Sequence, residues 1–374
     1  MTKKIALLKS GAGRAGGLEK YTLKLAHALI EKGCDVTLVT TGQKPKELNA
    51  IALDSTSKLS FLKLQQFDQF CKKTVARLQP DLIFGMDRNR TQTHLRAGNG
   101  VHAAYLERRA KNSGIFKRAS FALNPLHRTI LQMEKEAFES PALKQLFTNS
   151  HMVKKEILDH YRVAPEKISV VHNGVEWKEL EKPFQNWPEE RKKLQKELNL
   201  DPSLFHFLFV GHNFQRKGLD QLLKAFSVVP SRDFHLSVVG EDKNLNYYQE
   251  LVEKLQLTGK VGFFGKRTDC TRFYQMADAL VIPSLYDPFA NVTLEALALG
   301  VFVLSSKNNG GHEVLTAQNG ATLSSLDDPE LFAQLLTASM KHPKTLVQAQ
   351  MIRESVKHLD FSHQLNALVD QCLS

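Results

Sequence analysis

Short apolar runs alternate along the chain with longer stretches whose apolar positions recur every three to four residues, a pattern that predicts strands and helices in turn. Lys4–Leu8 is an apolar run ending in a glycine-rich turn, Tyr21–Glu31 carries Leu23, Leu25, Ala26, Leu29 and Ile30 at helical spacing, and Asp35–Thr40 is rich in β-branched residues. Strand, helix, strand opens a parallel sheet, because parallel neighbours need a crossover. The alternation continues through a helix at Phe61–Leu78, a buried-strand pattern at Asp81–Gly85, helical Leu131–Phe138, strand-like Gln145–Thr148, helical Ser150–His160 with Ser150 as N-cap, and a short strand at Ile168–Val171.

A second unit of the same kind begins at Phe205–Val210, with Gly211–Gly218 as the turn and Leu219–Val228 as the helix. His235–Gly240, Val261–Phe264, Ala279–Ile282 and Phe302–Ser305 read as further strands, and helices fill Pro329–Ser374. Between the halves, Glu179–Asn199 is charged, helix-prone and carries two prolines in its first half, which reads as a linker or hinge neighbourhood. Because both halves open alike, the pattern predicts an α/β chain of two doubly wound domains.

Length agrees: 374 residues suit two domains that each bury a core. Apolar residues at 42% and charged residues at 24% exclude wholesale disorder and fibrous repeats. Charge changes the picture more. The net +11 is uneven, with 28 Lys+Arg against 14 Asp+Glu in residues 1–165 and 22 against 25 in the remainder. Within Arg88–Arg128 nine basic residues face one acid, Glu107. A one-sided basic half predicts an anionic partner. The four cysteines are far apart and form no C-x-x-C, which argues against a metal cage or a disulfide framework. No run approaches 18 apolar residues and Met1–Lys9 lacks the core of a signal peptide, so the expected setting is cytoplasmic.

Gly11-Ala12-Gly13-Arg14-Ala15-Gly16 matches G-x-G-x-x-G after a strand. The dinucleotide fingerprint also wants an acid at the end of the second strand, where this chain has Thr40, Thr41 and Gly42; a phosphate-facing loop is the better reading, with a merely tight turn as the alternative. The turn Gly211–Gly218 ends in Arg216 and Lys217 at a helix start, a cluster able to neutralise a diphosphate. Pro283–Leu297 follows the strand Ala279–Ile282, so Asp287 lies at a carboxyl end of the sheet, and the helix expected at Asn291–Leu299 places the Val292 and Thr293 amides and Glu295 at its start.

Asp287-x₇-Glu295, Arg216-Lys217-Gly218 and Gly16-Gly17-Leu18-Glu19 together resemble the retaining GT-B glycosyltransferases, the group that includes bacterial glycogen synthases and lipopolysaccharide core glucosyltransferases. Arg96-Ala97-Gly98-Asn99-Gly100-Val101-His102 and Tyr286-Asp287-Pro288-Phe289-Ala290-Asn291 most resemble the lipopolysaccharide core glucosyltransferase I branch. The resemblance implies two Rossmann-like domains facing a central cleft: an acceptor-binding domain at 1–170, a donor-binding domain at 171–355, and a C-terminal helix at 356–374 packing back toward the first domain. It implies that Gly16 and Gly17 lie near the donor phosphate or sugar, that Arg216 and Lys217 bind the diphosphate beside Gly211, and that Glu295 holds the ribose. Asp287 would contact donor-sugar hydroxyls, amides around Asn291, Val292 and Thr293 would support both, and Gly265, Lys266 and Arg267 would border the base. The family usually has glutamate where this chain has Asp287. His102 corresponds to a histidine at the active-site end of a first-domain strand, and Asn173 with Gly174 to a hinge.

The implied reaction moves a hexosyl unit from a nucleoside-diphosphate sugar, UDP-glucose or similar, to a lipopolysaccharide-core-like or other glycan, keeping the anomeric configuration. His102, Arg216, Lys217 and Asp287 would be the catalytic set. No cofactor is expected, and with no D-x-D in the chain no metal. The basic first domain would then meet a lipid-linked or phosphorylated acceptor at the inner membrane surface, with Ile115, Phe116, Phe121 and Leu123 flanking Lys117 and Arg118 as the point of contact or, equally, as part of the core. Two other readings stay open: a nucleotide-sugar 2-epimerase of the same architecture, and a non-enzymatic nucleic-acid-binding protein, which would require cations interleaved with aromatics.

Overall fold

In a computed structural model the described residues are 2–11, 17–54, 56–111, 120–121 and 123–374. They form two compact units, Met1–His172 with Gln364–Ser374, and Asn173–His363.

The first unit is built on seven strands: β1 (Lys4–Leu8), β2 (Asp35–Thr41), β3 (Ala50–Leu53), β4 (Leu82–Gly85), β5 (His94–Arg96), β6 (Gln145–Thr148) and β7 (Ile168–Val170). Their order is β3-β2-β1-β4-β5-β6-β7 and every pairing is parallel. The second unit has six: β8 (Phe205–Val210), β9 (Phe234–Val239), β10 (Val261–Phe263), β11 (Ala279–Ile282), β12 (Phe302–Ser306) and β13 (Gly320–Leu323). Their order is β10-β9-β8-β11-β12-β13, again all parallel. Apart from the extra β7 the two orders are the same, the doubly wound arrangement expected. Each reverses direction once, between β1 and β4 and between β8 and β11, and ligands bind beyond the carboxyl ends of strands at such points.

Helices on both faces explain why the inner strands are buried through most of their length, the polar His206, His235 and Ser237 included. β9 and β11 are buried along their whole length, as are all but the ends of β1 and β8. Ser150 accepts from the Val153 amide at 3.2 Å and starts the helix His151–His160, as its sequence position predicts.

The sequence pattern misses β3, β5 and β13. β5 has three residues, two of them the buried polar His94 and Arg96, and β13 opens on Gly320 and contains Thr322, so neither supplies an apolar period; β3 is apolar but is a short, half-buried edge strand. The helix expected from Leu131 begins at Pro125, where Asn124 accepts from the Leu126 amide at 2.9 Å. The helix His102–Lys111 is also missed. Glu179–Asn199 is not a linker: it forms the helices Glu181–Gln185 and Trp187–Glu197, and Phe184, Trp187 and Leu194 enter the core of the second unit. Its charges mark only the solvated face of a helix. No helix among the described residues is long and apolar enough to cross a membrane.

Candidate functional site

In the second unit the turns that follow β8 and β11 leave from strands on either side of the order reversal, and they are packed backbone to backbone. Gly218 sits at φ 80°, and a Cβ there would lie 1.8 Å from the Pro283 carbonyl oxygen, so only glycine fits. The Leu285 amide donates to Arg216 O at 2.9 Å and locks the two turns together. Asn213, itself left-handed at φ 57°, accepts from the Arg216 amide at 3.2 Å and starts the four-residue helix Phe214–Lys217.

The result is a three-residue charge cluster. Lys217 Nζ donates to Asp287 Oδ2 at 2.7 Å, and Arg216 Nη1 donates to the same oxygen at 3.2 Å and to Tyr286 O at 3.0 Å. Burial alone would raise the Asp287 carboxyl, but Lys217 and then Arg216 outweigh it and hold it below its ordinary range. Asp287 is therefore a carboxylate, and the cluster carries one net positive charge. The expectation of Asp287 as a sugar contact gains a second role: its oxygen fixes both cations in place. Gly211 lies against the Lys217 stem, with a Cβ there 3.1 Å from Lys217 Cγ.

Beyond Asp287 the chain is held by Asn309, which is fully buried. Its Oδ1 accepts from the Ala290 and Gly311 amides at 2.9 and 3.1 Å, and its Nδ2 donates to Ser305 Oγ at 2.9 Å and Thr293 Oγ1 at 3.3 Å. These bonds set the start of the helix Asn291–Ala298 beside Asp287. The amides of Asn291 and Val292 open the first turn, where a helix has no carbonyl to offer them; the Thr293 amide donates to Ala290 O at 3.0 Å. Asn291 Oδ1 accepts from Asn173 Nδ2 at 2.6 Å. Glu295, one turn on, accepts from the Tyr274 hydroxyl at 2.8 Å, so it is more than a helix-start acid placed for the dipole. Gly265, at φ 64°, follows β10, and its carbonyl accepts from the Gly240 amide at 2.8 Å; Arg267 is forked onto Asp269 at 2.8 and 2.9 Å.

In the first unit Gly17 opens the helix Gly17–Glu31, whereas Gly16 lies outside the described residues. The ends of β1, β2 and β4 surround an open cavity of about 360 Å³ whose lining includes Lys9, Glu19, Thr41, Lys63, Asp87 and Arg88. Lys9 is buried between Glu19 at 3.3 Å and Asp87 at 3.2 Å, and Asp87 also accepts from the Ser10 amide at 2.8 Å. Such an alternation of carboxylates and cations suits a ligand rich in hydroxyls that also carries negative charge. The motif Arg96–His102 has a local reason: the Arg96 guanidinium stacks 4.1 Å over the Tyr21 ring and lies across Gly98, where a Cβ would come within 2.2 Å of Nη1.

His102 is not at a strand end but is the first residue of its helix, six residues beyond β5. Its amide donates to both Glu134 oxygens, at 3.1 and 2.9 Å, and its Nε2 lies 3.0 Å from His127 Nδ1. Burial pushes its imidazole down to about 3, with Arg88 and His127 adding to the shift, so it is neutral. Neutral imidazole can give or take one hydrogen bond but cannot act as a fixed cation.

The basic stretch Arg88–Arg128 is less one-sided in space than along the chain. Arg88 pairs with Glu134 at 3.3 Å, Arg90 with Asp68 and Glu136 at 2.8 Å each, and Arg108 with Glu156. Of the proposed membrane-contact residues, Ile115, Phe116, Lys117 and Arg118 lie outside the described residues. Phe121 is buried under Arg109, whose guanidinium is 4.6 Å from the ring centroid, while Leu123 is 75% exposed.

Sequence reasoning thus names the residues that meet at β8 and β11 and misses Asn309 and Tyr274, which hold them, just as it misses Glu134 and His127 around His102. Only Asn309 carries a local signal, the Asn-Gly-Gly turn after a strand.

Two family descriptions match the chain, Glycosyltransferase Family 4 over residues 15–178 and Glycosyl transferases group 1 over residues 190–357. The uncharacterized glycosyltransferase MJ1607 of Methanocaldococcus jannaschii is 26% identical over 80% of this chain and 79% of its own length. The lipopolysaccharide glucosyltransferase WaaG of Escherichia coli is 24% identical over 87% of this chain and 86% of its own. A crystal structure of WaaG, a glycosyltransferase involved in lipopolysaccharide biosynthesis, superposes with a TM-score of 0.79 at 21% identity, covering 98% of this chain and 99% of that one. Anabaena HepE in complex with UDP-glucose superposes with a TM-score of 0.71 at 16% identity, covering 99% of each.

Proposed function

From the match of two glycosyltransferase descriptions, one to residues 15–178 and the other to residues 190–357, we propose that the chain is a GT-B glycosyltransferase that moves a hexosyl unit from a nucleoside-diphosphate sugar, UDP-glucose or a close relative, to a glycan of lipopolysaccharide-core type with retention of configuration. The observation that carries this reading is the cluster of Lys217, Arg216 and Asp287 at the β8/β11 switch point, next to the first turn of Asn291–Ala298 and Glu295.

In this reading the diphosphate lies against Lys217, Arg216 and the amides of Asn291 and Val292, donors fixed before the substrate arrives. As the bond from the anomeric carbon to the leaving oxygen breaks, the diphosphate gains negative charge and the cations stabilise it without a metal. Asp287 takes sugar hydroxyls through the oxygen that the cations leave open. Glu295, oriented by Tyr274, receives the ribose hydroxyls. Gly16, Gly17, Gly211, Gly265, Lys266, Arg267 and Thr293 border the donor. His102, neutral, offers one hydrogen bond to the sugar, and the departing phosphate accepts the proton of the acceptor hydroxyl as that oxygen attacks from the same face.

The acceptor reading is supported by the Lys9–Asp87–Arg88 cavity and by the surplus of cations in residues 1–165. An acceptor at an anionic cytoplasmic membrane surface, with the enzyme bound peripherally, fits that charge. Liposome flotation tests the last point: salt-sensitive binding to anionic and not to neutral vesicles is expected, and equal binding to both refutes it.

The activity is tested by incubating the chain with UDP-glucose alone, then with a lipopolysaccharide-core acceptor, in the presence of a chelator. Acceptor-dependent release of UDP and an α-linked product support the reading. Isomerised sugar without acceptor, or an inverted linkage, refutes it.

A further inference from the structure

The helix Asn291–Ala298 carries a second pair of cations at its other end. Leu299 O accepts from Lys344 Nζ at 2.8 Å and Ala298 O accepts from Arg353 Nη1. Both side chains are buried, Lys344 to 8% exposure and Arg353 to 2%. Their partners are carbonyl oxygens and ring faces: Lys344 lies 4.6 Å from the Trp187 centroid, and Arg353 lies 4.0 and 5.0 Å from those of Trp177 and Phe184 while also donating to Trp177 O at 2.7 Å. Arg353 thereby ties the backbone at Trp177 to the helix end. Lys344 also reaches Tyr274 O at 3.5 Å, in the residue whose hydroxyl holds Glu295.

Burying two cations on neutral carbonyls and ring faces costs desolvation that a hydrophobic pair would avoid. The position explains what is gained. The last carbonyls of a helix are its negative end, and cations there are favourable. An eight-residue helix is about 12 Å long, so both charges stand on the axis behind the first turn that faces the diphosphate.

We propose that Lys344 and Arg353 are positioning residues for the donor, clamping the helix Asn291–Ala298 from behind and adding their charge to the positive field at its first turn. The proposal rests on the donor site described above.

The clamp is pH-sensitive at one of its members. Burial pushes the Lys344 ammonium down to about 7, Arg191 adds to the lowering and Asp278 opposes it. The groups facing Lys344 are Arg191 from the helix Trp187–Glu197, Asp278 ahead of β11, bonded to Arg191 and to the His206 amide, and Tyr274 from the helix Cys270–Met276 with Glu295 behind it. As pH rises through 7 the ammonium loses its proton and the field at the first turn weakens.

Titration calorimetry on the full chain tests this, with UDP and, independently of the base, inorganic pyrophosphate, between pH 6.5 and 8.5. The probes titrate identically in every comparison, so differences between proteins belong to the protein. A unit charge about 15 Å away at an effective dielectric of about 20 changes affinity by about five- to tenfold. Lys344→Met is expected to bind both probes about fivefold more weakly at pH 6.5 and to lose the difference by pH 8.5, whereas Lys344→Arg, charged throughout, keeps the low-pH affinity across the range. Neither change is expected to lower the melting temperature in proportion, which separates positioning from folding. Wild-type affinity and pH profile in Lys344→Met overturn the proposal. Failure of the wild type to bind either probe overturns the donor site itself and the proposal with it; loss of binding in Glu295→Ala but not in Lys344→Met overturns the clamp alone.

Discussion

Asp287→Asn isolates the charge at the centre of the site, since the side chain keeps its shape and an accepting oxygen and loses only its negative charge. In the native unit the carboxylate is 8% exposed and accepts from two cations at 2.7 and 3.2 Å. At an effective dielectric of about 20 the nearer contact alone is an attraction of about 6 kcal/mol. Part of that offsets the desolvation of the three groups, and breaking such a buried cluster costs about 3–5 kcal/mol. For a unit of this size each kcal/mol lowers the melting temperature by roughly 2–4 °C, so a fall of roughly 6–20 °C is expected by differential scanning fluorimetry. The substitution also leaves two positive charges where there had been one. A diphosphate should therefore repair the variant: pyrophosphate is expected to raise its melting temperature more than that of the wild type at the same concentration, while transfer from UDP-glucose is lost. A melting temperature within about 2 °C of the wild type, or equal stabilisation of both proteins by pyrophosphate, would refute the reasoning.

Four buried histidines make the fold acid-sensitive: burial pushes His94, His206 and His235 down to about 4 and His102 to about 3. In the unfolded chain they take a proton near 6.5, so the unfolded state binds more protons below that value, and stability falls from about pH 6.5 toward 4. His94 and His235 each contribute about 3 kcal/mol of that loss; a His235→Phe variant should melt with a shallower acid limb, and an unchanged limb counts against the assignment. Gly218→Ala combines a left-handed φ with a collision at Pro283 O and should cost at least about 3 kcal/mol in urea unfolding. Gly259→Ala, at φ 77° with open space around it, serves as the control at about 1 kcal/mol; equal effects would show that packing of the two turns is not what selects glycine. Glu295→Ala should weaken UDP binding about tenfold, whereas Lys217→Ala should mainly lower kcat, and unchanged kinetics in both would remove the donor site from this part of the fold.

Much of the candidate site is legible because it lies where local signals are strongest. Arg216 and Lys217 close a glycine turn after an apolar strand, and Asp287 and Glu295 bracket a helix start, so strand, turn and helix each announce themselves within a few residues. His102 is legible as a residue but not as a place, because β5 before it is three residues long and two of them are polar. The charge count over Arg88–Arg128 misleads for a related reason. Asp68, Glu134, Glu136 and Glu156 neutralise Arg88, Arg90 and Arg108 from helices before, within or after that stretch, and proximity along the chain does not reveal proximity in space.

By itself the sequence determined two α/β halves that open alike, because hydrophobic periodicity and glycine turns record how each segment meets its immediate neighbours. Only the tertiary structure decided that Lys217 grips Asp287 seventy residues away, that Asn309 wires the turn between them to the helix, and that Lys344 and Arg353 stand behind that helix. The first of these pairings follows from the reversal of strand order, which sets β8 beside β11 and brings their turns together, and the others from the packing of later segments against the helix Asn291–Ala298. A buried lysine or asparagine whose partner is a remote backbone carbonyl or amide leaves no period in the sequence, since a backbone group offers the same hydrogen bond whatever residue carries it.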